Sequence, residues 1–314
     1  MRAHTTKSGF TTRTDPYATM GTSVESAPNA EEALVLANLD FEVAKAALYA
    51  EVPLDGDFLH YAPLENSYAI YRTDTSHPFP AKVTDKYVEF QNRDVIGFLD
   101  ALADLGCTFS QGGSWGNGAK AWMTMVPPNG SLYNAGGQFE GRIFAHWTHD
   151  GSGSVKFIPV VTDLQCTNQI AGILHMKQNI FVARHTSGLE GKVQQAREAM
   201  GLTLAYYEEF TADQARLDAI DVELSDILNG LYPLAGLEQG RARTQRENAR
   251  NSIRAAHGTR PERSNSGWGV VSAVNEYEEW GQTVRNGTRS QRQLEAVASQ
   301  RFPLTQRARQ LVLA

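Results

Sequence analysis

The segments KAWMTMV (120–126), RIFAHWT (142–148), HDGS (149–152) and VKFIPVV (155–161) decide the fold. The three apolar runs have strand length and are rich in aromatic and β-branched residues. Asp150 and Gly151 form the Asp-Gly pair that tight hairpin turns favour, because their backbone requires positive φ. The stretch therefore predicts consecutive antiparallel strands joined as hairpins.

The flanking sequence adds helices on both sides of these strands. YAIYR (68–72) and KVTDKYVEF (82–90) have strand composition, with HPFP (77–80) as a turn between them. Asn92 is predicted to cap a helix over RDVIGFLDALADLG, whereas FEVAKAALYA (41–50) fits either a strand or a helix. Downstream of Thr167 the pattern is helical, with predicted helices over 189–217, 218–231 and 241–256. This order predicts an α+β fold, with an antiparallel sheet of hairpins packed with helices and a helical C-terminal part.

The length of 314 residues exceeds what one core usually holds, so we predict three parts. Residues 1–28 are rich in Thr, Ser, Gly and Pro and are predicted to form a mobile N-terminal arm. Residues 29–235 are predicted to form the α+β core domain. Residues 236–314 are predicted to form a basic, mainly helical C-terminal region.

Charge is distributed unevenly along the chain. Residues 240–314 hold 13 Arg, no Lys and 6 acidic residues, a net charge of +7. Residues 1–239 hold 16 basic and 29 acidic residues, or −13, and the two parts sum to −6. The basic end indicates either a surface for nucleic acid or an acidic partner, or helices that pack on the chain's own acidic body.

The N-terminus has no apolar signal segment, and no stretch approaches the ~20 apolar residues that a membrane span needs. We therefore expect no membrane contact and a cytoplasmic location in the host cell. Cys107 and Cys166 are isolated, which indicates free thiols in a reducing compartment.

No motif for nucleotide, cofactor or metal binding occurs, so we expect no cofactor, no metal and no catalytic residues. His146 and His149 form an HxxH pair, but residues three apart on a strand point to opposite faces and do not share a metal ion. Whether the protein is an enzyme stays open, with the balance against it. An enzyme would draw its residues from His149, Asp150 and Asn168.

Two groups of residues are candidates for nucleic-acid binding. Strand alternation places Lys120 with Trp122, and Arg142 with Phe144 and His146, on one face if the two strands pair. Alternatively, Trp122 and Phe144 face the core and the cations lie at strand ends. The second group is a set of four arginines spaced three and four residues apart along one helix face: Arg243, Arg246, Arg250 and Arg254. They would either bind phosphates or pair with the acidic body of the chain.

Five segments in order along the chain carry a resemblance to a known family. They are AEEALVLANLDFEVAKAAL (30–48), VTDKYVEFQNRDVIGFLDAL (83–102), THDGSGSVKFIPVVTDLQCTNQI (148–170), ARHTSGLEGKVQQAREAMGL (183–202) and WGVVSAVNEYEEW (268–280). The chain resembles the phage/plasmid-like proteins, domain of unknown function 932. The resemblance implies a mobile-element setting among genes for replication, recombination or defence, and no established activity.

The strand–helix core is also similar to the single-strand annealing proteins of phages, which hold DNA in the basic groove of an oligomeric ring without catalytic residues. The leading hypothesis is therefore a non-catalytic, homo-oligomeric factor that binds or anneals single-stranded DNA in phage recombination or replication. The alternatives are a regulatory or anti-defence protein that binds a host or phage protein, and an unrecognised enzyme.

Overall fold

The computed structural model describes residues 16–53, 59–128, 130–134, 137–153, 155–163, 181–182, 189–258, 265–284 and 287–314. The strands in these ranges are β1 (Thr22–Ser23), β2 (Val43–Pro53), β3 (Leu59–Arg72), β4 (Pro78–Val83), β5 (Thr108–Trp115), β6 (Lys120–Val126), β7 (Ser131–Asn134), β8 (Gly137–Thr148), β9 (Lys156–Asp163) and β10 (Phe181–Val182). The helices are α1 (Ala30–Leu36), α2 (Ile96–Asp104), α3 (Leu189–Asp218), α4 (Leu224–Leu231), α5 (Arg241–Gly258), α6 (Gly267–Glu276), α7 (Arg289–Ser299) and α8 (Pro303–Val312). The predicted α+β class is confirmed.

The strands form two antiparallel sheets. The larger has the order β1-β5-β6-β8-β9-β10, with β7 paired to β8, and the smaller has the order β2-β3-β4. The predicted hairpins are confirmed, since β6 pairs with β8 and β8 with β9. FEVAKAALYA, which the sequence left open, contributes most of β2. The predicted turn HPFP instead begins β4, where prolines are tolerated because β4 lies at the edge of its sheet.

The larger sheet is covered on both faces. One face packs Met123, Ile143 and Trp147 against α1, α2 and the smaller sheet. The other face packs Trp122 and Phe144 against apolar residues of α7. The sheet is therefore the middle layer of the fold.

The C-terminal helices share apolar clusters with the sheet. Phe139 of β8, Phe210 of α3 and Trp268 of α6 form a group of edge-to-face rings with centroids 5.3–5.9 Å apart. Such pairs stabilise a core beyond the area that they bury. The predicted core domain and the predicted C-terminal region are thus joined through common packing.

The N-terminal segment differs from the predicted mobile arm where it is described. Tyr17 and Val24 are fully buried, and β1 pairs with β5 through Thr22 and Gly112. Tyr17 supplies an aromatic ring to the covered sheet face, which explains its order. Residues 1–15 lie outside the described residues.

Asn92 is a buried polar hub, and the prediction that it caps a helix is wrong. Gln91 caps a short 3-10 turn ahead of α2 instead. Asn92 donates from Nδ2 to the carbonyl of Phe41 at 3.0 Å, and its Oδ1 accepts from Trp147 Nε1 at 2.8 Å. Its Oδ1 also lies 2.9 Å from Nε2 of His149. The hub therefore ties the segment just before β2 to the end of β8.

Gly151 adopts φ +74°, as the predicted turn requires, and a Cβ there would lie 2.8 Å from Cγ1 of Val83. We expect Gly151→Val to lower the free energy of unfolding by ~1 kcal/mol or more, because a β-branched residue is strongly disfavoured at positive φ. Urea unfolding measures the change. Gly236→Val separates the two causes, since Gly236 has the same φ with open space around it and should show the cost of positive φ without the contact with Val83. An unchanged unfolding midpoint for Gly151→Val would contradict the turn.

Candidate nucleic-acid interface

The predicted strand face exists, but its aromatic residues are covered. Trp122 pairs with His146 and Thr124 with Phe144 in the β6–β8 register, so these side chains share one face. Trp122 and Phe144 are fully buried. The ring of Tyr17 lies 5.6 Å from Trp122, and α7 packs beyond it. Both rings belong to the core, as the alternative interpretation expected, and offer no surface to a base.

Arg142 is also buried, with 4% of its surface exposed. It forms an ion pair with Glu140 and donates from Nη1 to Oγ of Ser110 at 2.8 Å. Its charge is therefore compensated inside the protein. Arg142 is not placed to contact nucleic acid.

The arginine-bearing helix is confirmed as α5, but three of its four candidate arginines are held by the chain itself. Each donates to a backbone carbonyl in the segment between α4 and α5. The contacts are Arg243 to Leu237, Arg246 to Pro233 and Arg250 to Tyr232, at 3.0, 2.6 and 3.1 Å. Arg250 also lies at the C-terminal end of α4, where a cation interacts favourably with the helix dipole. These arginines fix the α4–α5 connection.

Arg254 is the exception among the four. Its side chain is exposed, and it donates to Oδ1 of Asn251 one turn earlier at 3.2 Å. Arg250, by contrast, is 7% exposed and makes a further hydrogen bond to Oδ1 of Asn229. The structure therefore separates the four arginines that the sequence placed together.

Lys120 lies in a different setting, at the mouth of a cleft of about 330 Å³. The cleft is bounded by the ends of β6, β8 and β9 and by the connection from α7 to α8. Its lining residues are Trp115, Lys120, His146, Thr148, Ser152, Gly153, Lys156, Glu295, Ala298, Ser299 and Arg301. We call it the cationic cleft.

The sheet register explains how distant residues meet in the cationic cleft. Lys120 pairs with Trp115 on β5 and with Thr148 on β8, which forms one row across the sheet. His146 pairs with Lys156 on β9 in the next row on the same face. α7 covers this face further down, and in the two rows at its end only the side chains of Lys120 and Lys156 are partly exposed.

The charge in the cationic cleft is positive. Lys120, Lys156 and Arg301 supply three cations against the one carboxylate of Glu295. Nζ of Lys120 lies 3.6 Å from that carboxylate and 5.9 Å from the ring of Trp115. An exposed pair of this kind contributes little to stability, so Lys120 can exchange it for an anionic ligand.

His146 contributes an aromatic ring to the cleft, not a charge. Its ring stacks on Trp115 with centroids 5.1 Å apart, and Nδ1 donates to the carbonyl of Ala121 at 3.0 Å. Burial lowers its pKa from 6.5 to about 4, so the ring is neutral at pH 7. Because the unfolded chain binds this proton more tightly, the folded state loses stability as pH falls from about 6.5 towards 4.

Two lining residues carry unused hydrogen-bonding capacity. Oγ1 of Thr148 and Nε1 of Trp115 are buried and have no hydrogen-bond partner among the described residues. Buried polar atoms are normally paired, because leaving one unpaired costs about 1–3 kcal/mol.

Sequence reasoning found Lys120 and His146 but missed Trp115, Lys156 and Arg301. Strand alternation extended to β5 and β9 would have placed Trp115 and Lys156 on the same face. Arg301 carries no such signal, because it follows α7, and nothing local in the sequence indicates where α7 docks.

The structure places the HxxH histidines on opposite sides of the sheet, as predicted. His149 is fully buried, with Nδ1 2.7 Å from the carbonyl of Phe90, and burial lowers its pKa to about 4. Of the other residues named for an enzyme, Asp150 lies in the turn, and Asn168 lies outside the described residues.

Of the two cysteines, Cys107 is a buried free thiol, and Cys166 lies outside the described residues.

Within the described ranges, no three His, Cys, Asp or Glu side chains are arranged to hold a metal ion. None of the helices in this part of the chain is long and apolar enough to cross a membrane.

Comparison with known proteins gives one match. No curated protein and no solved structure matches the chain significantly. Residues 81–298 match the family model described as "Domain of unknown function (DUF932)". That range includes β5–β9 and all of the lining of the cationic cleft except Ser299 and Arg301. The chain therefore belongs to the DUF932 family, as its sequence segments indicated.

Proposed function

We propose that the protein is a non-catalytic factor that binds single-stranded DNA through the cationic cleft, in the replication or recombination of a mobile genetic element. The observation that supports this function is the group of three cations, Lys120, Lys156 and Arg301, around one cleft. The mobile-element setting rests on the family resemblance.

The chemistry of the cleft favours a phosphate-bearing ligand. Lysine and arginine side chains neutralise phosphates and release the counterions bound to them, which drives sequence-independent binding. Thr148 and Trp115 add hydrogen-bonding atoms without a partner in the described chain. A cleft of this volume holds about one nucleotide and is too small for a duplex. A single strand that places one of its nucleotides in the cleft satisfies these conditions.

The triple variant Lys120→Gln, Lys156→Gln, Arg301→Gln tests this function. We expect its affinity for a fluorescent oligothymidylate to fall at least ~10-fold at ~50 mM salt, because its phosphate contacts are lost. The slope of log affinity against log salt should decrease by about 0.7 for each lost contact, or about 2 in total. Fluorescence anisotropy measures both quantities. The melting temperature should barely move, since exposed charges contribute little to stability.

Lys82→Gln, Lys86→Gln, Arg93→Gln is the matched control, because it removes three exposed cations that lie outside the cleft. The control should retain the affinity and the salt slope of the wild type. No binding by the wild-type protein at ~50 mM salt would contradict the proposal and favour the regulatory-protein hypothesis. Competition by thymidine monophosphate as strong as by the oligonucleotide would instead indicate a small-nucleotide site.

A further inference from the structure

A two-stranded ribbon extends from the smaller sheet. It consists of residues 48–53 of β2 and 59–66 of β3, which pair from Tyr49↔Pro63 to Pro53↔Leu59. The third strand, β4, pairs with β3 only from Tyr68 onward. Beyond that point the ribbon has no third strand among the described residues. A two-stranded ribbon alone is marginally stable in water.

The ribbon is unusually apolar for a surface element. Five large hydrophobic side chains on it are at least 40% exposed: Tyr49 (57%), Val52 (40%), Leu59 (56%), Tyr61 (62%) and Leu64 (45%). The register places Tyr49, Leu59 and Tyr61 together on one face, and Val52 and Leu64 on the other. Exposed apolar residues scattered singly are normal, but a contiguous group marks an interaction surface. Tyrosine is also among the residues that protein interfaces favour. The ribbon therefore has the composition of a docking element.

The charge of the ribbon identifies the kind of surface that it fits. The sequence from 48 to 66 holds four acidic residues and no lysine or arginine. Glu51 and Glu65 are exposed on the ribbon itself. Such a ribbon repels nucleic acid, and it also repels a second ribbon placed against it. Its complement is a basic protein surface.

The C-terminal helices of the chain carry the complementary charge. Residues 240–314 have a net charge of +7. Outside the cationic cleft, three of their arginines, which we call the outer arginines, are exposed and form no ion pair within the described part of the chain: Arg241 and Arg254, 13 residues apart on α5, and Arg307 on α8. Other arginines of α5 are already engaged by the α4–α5 segment.

We propose that the ribbon of one copy docks on the basic C-terminal helices of a second copy, so that the protein assembles head to tail. The apolar side chains supply buried area, and the acidic ribbon and outer arginines supply orientation. The two surfaces are different patches of the same chain, so each copy offers one of each. Such heterologous contacts generate closed rings or open filaments instead of simple two-fold dimers.

Two variants disable one surface each. The ribbon variant is Tyr49→Ser, Glu51→Lys, Tyr61→Ser, and the arginine variant is Arg241→Glu, Arg254→Glu, Arg307→Glu. All six positions are exposed, so both variants should fold, which circular dichroism checks. Sedimentation velocity over a concentration series should show assemblies for the wild type and monomers for each variant.

Mixing the two variants distinguishes the head-to-tail contact from other assemblies. The arginine variant keeps an intact ribbon, and the ribbon variant keeps intact C-terminal helices. An equimolar mixture should therefore form a heterodimer through one contact. This dimer should not grow further, because its remaining two surfaces are both disabled. Glu208→Lys and Val88→Ser are matched controls, since both residues are exposed outside the two surfaces, and each should assemble as the wild type does.

A wild-type protein that stays monomeric at every concentration would overturn the proposal. An assembly that survives in the ribbon variant, or a mixture that stays monomeric while the wild type assembles, would do the same. None of the altered residues lines the cationic cleft, so these results are independent of the proposed DNA binding.

Discussion

Replacing Trp122 with alanine should lower the free energy of unfolding by about 3–5 kcal/mol. The indole is fully buried between Tyr17 and Phe144, and truncation removes its apolar contacts and leaves a cavity. Urea unfolding followed by far-ultraviolet circular dichroism measures the loss. An exposed base-stacking residue would behave differently, since its removal would weaken DNA binding and leave stability unchanged.

Trp280→Ala is the control for this experiment, because Trp280 is 36% exposed. We expect it to cost much less than Trp122→Ala, since most of the cost of truncation comes from buried area and the cavity. Equal losses for the two variants, or a loss below ~1 kcal/mol for Trp122→Ala, would contradict the buried position of Trp122.

Replacing Asn92 with alanine should lower the free energy of unfolding by about 3 kcal/mol or more. The change leaves the carbonyl of Phe41 and the indole N–H of Trp147 without partners inside the core, each at a cost of about 1–3 kcal/mol. Thermal and urea unfolding measure the effect. Asn251→Ala on the exposed face of α5 is the control and should stay within about 0.5 kcal/mol of the wild type. A loss that small for Asn92→Ala would show that the hub is not formed.

The hairpins could be predicted from the sequence because their signals are local. The Asp-Gly turn and the alternation along KAWMTMV and RIFAHWT lie within the strands that they describe. The segment 41–50 could not be assigned, because its run of Ala, Leu and Val fits both the 3.6-residue period of a helix and the two-residue period of a strand. Pairing with β3, some twenty residues further along the chain, decides that it is a strand.

The candidate site could be predicted only in part. Alternation shows which side chains share a face, but it does not show what covers that face. For Trp122 and Phe144 the cover is α7, more than 140 residues away in the chain. The α5 arginines illustrate the same limit, since helical spacing aligned them and the carbonyls of the α4–α5 segment decided that three of them face the protein.

Hydrogen–deuterium exchange with and without a saturating oligothymidylate shows directly where a single strand binds. If the cationic cleft is the binding site, exchange should slow in peptides that contain residues 148–153 and 299–301, and should be unchanged in α5 and in the ribbon. Protection confined to α5, or no protection near Lys120 while the oligonucleotide is bound, would contradict binding in the cleft.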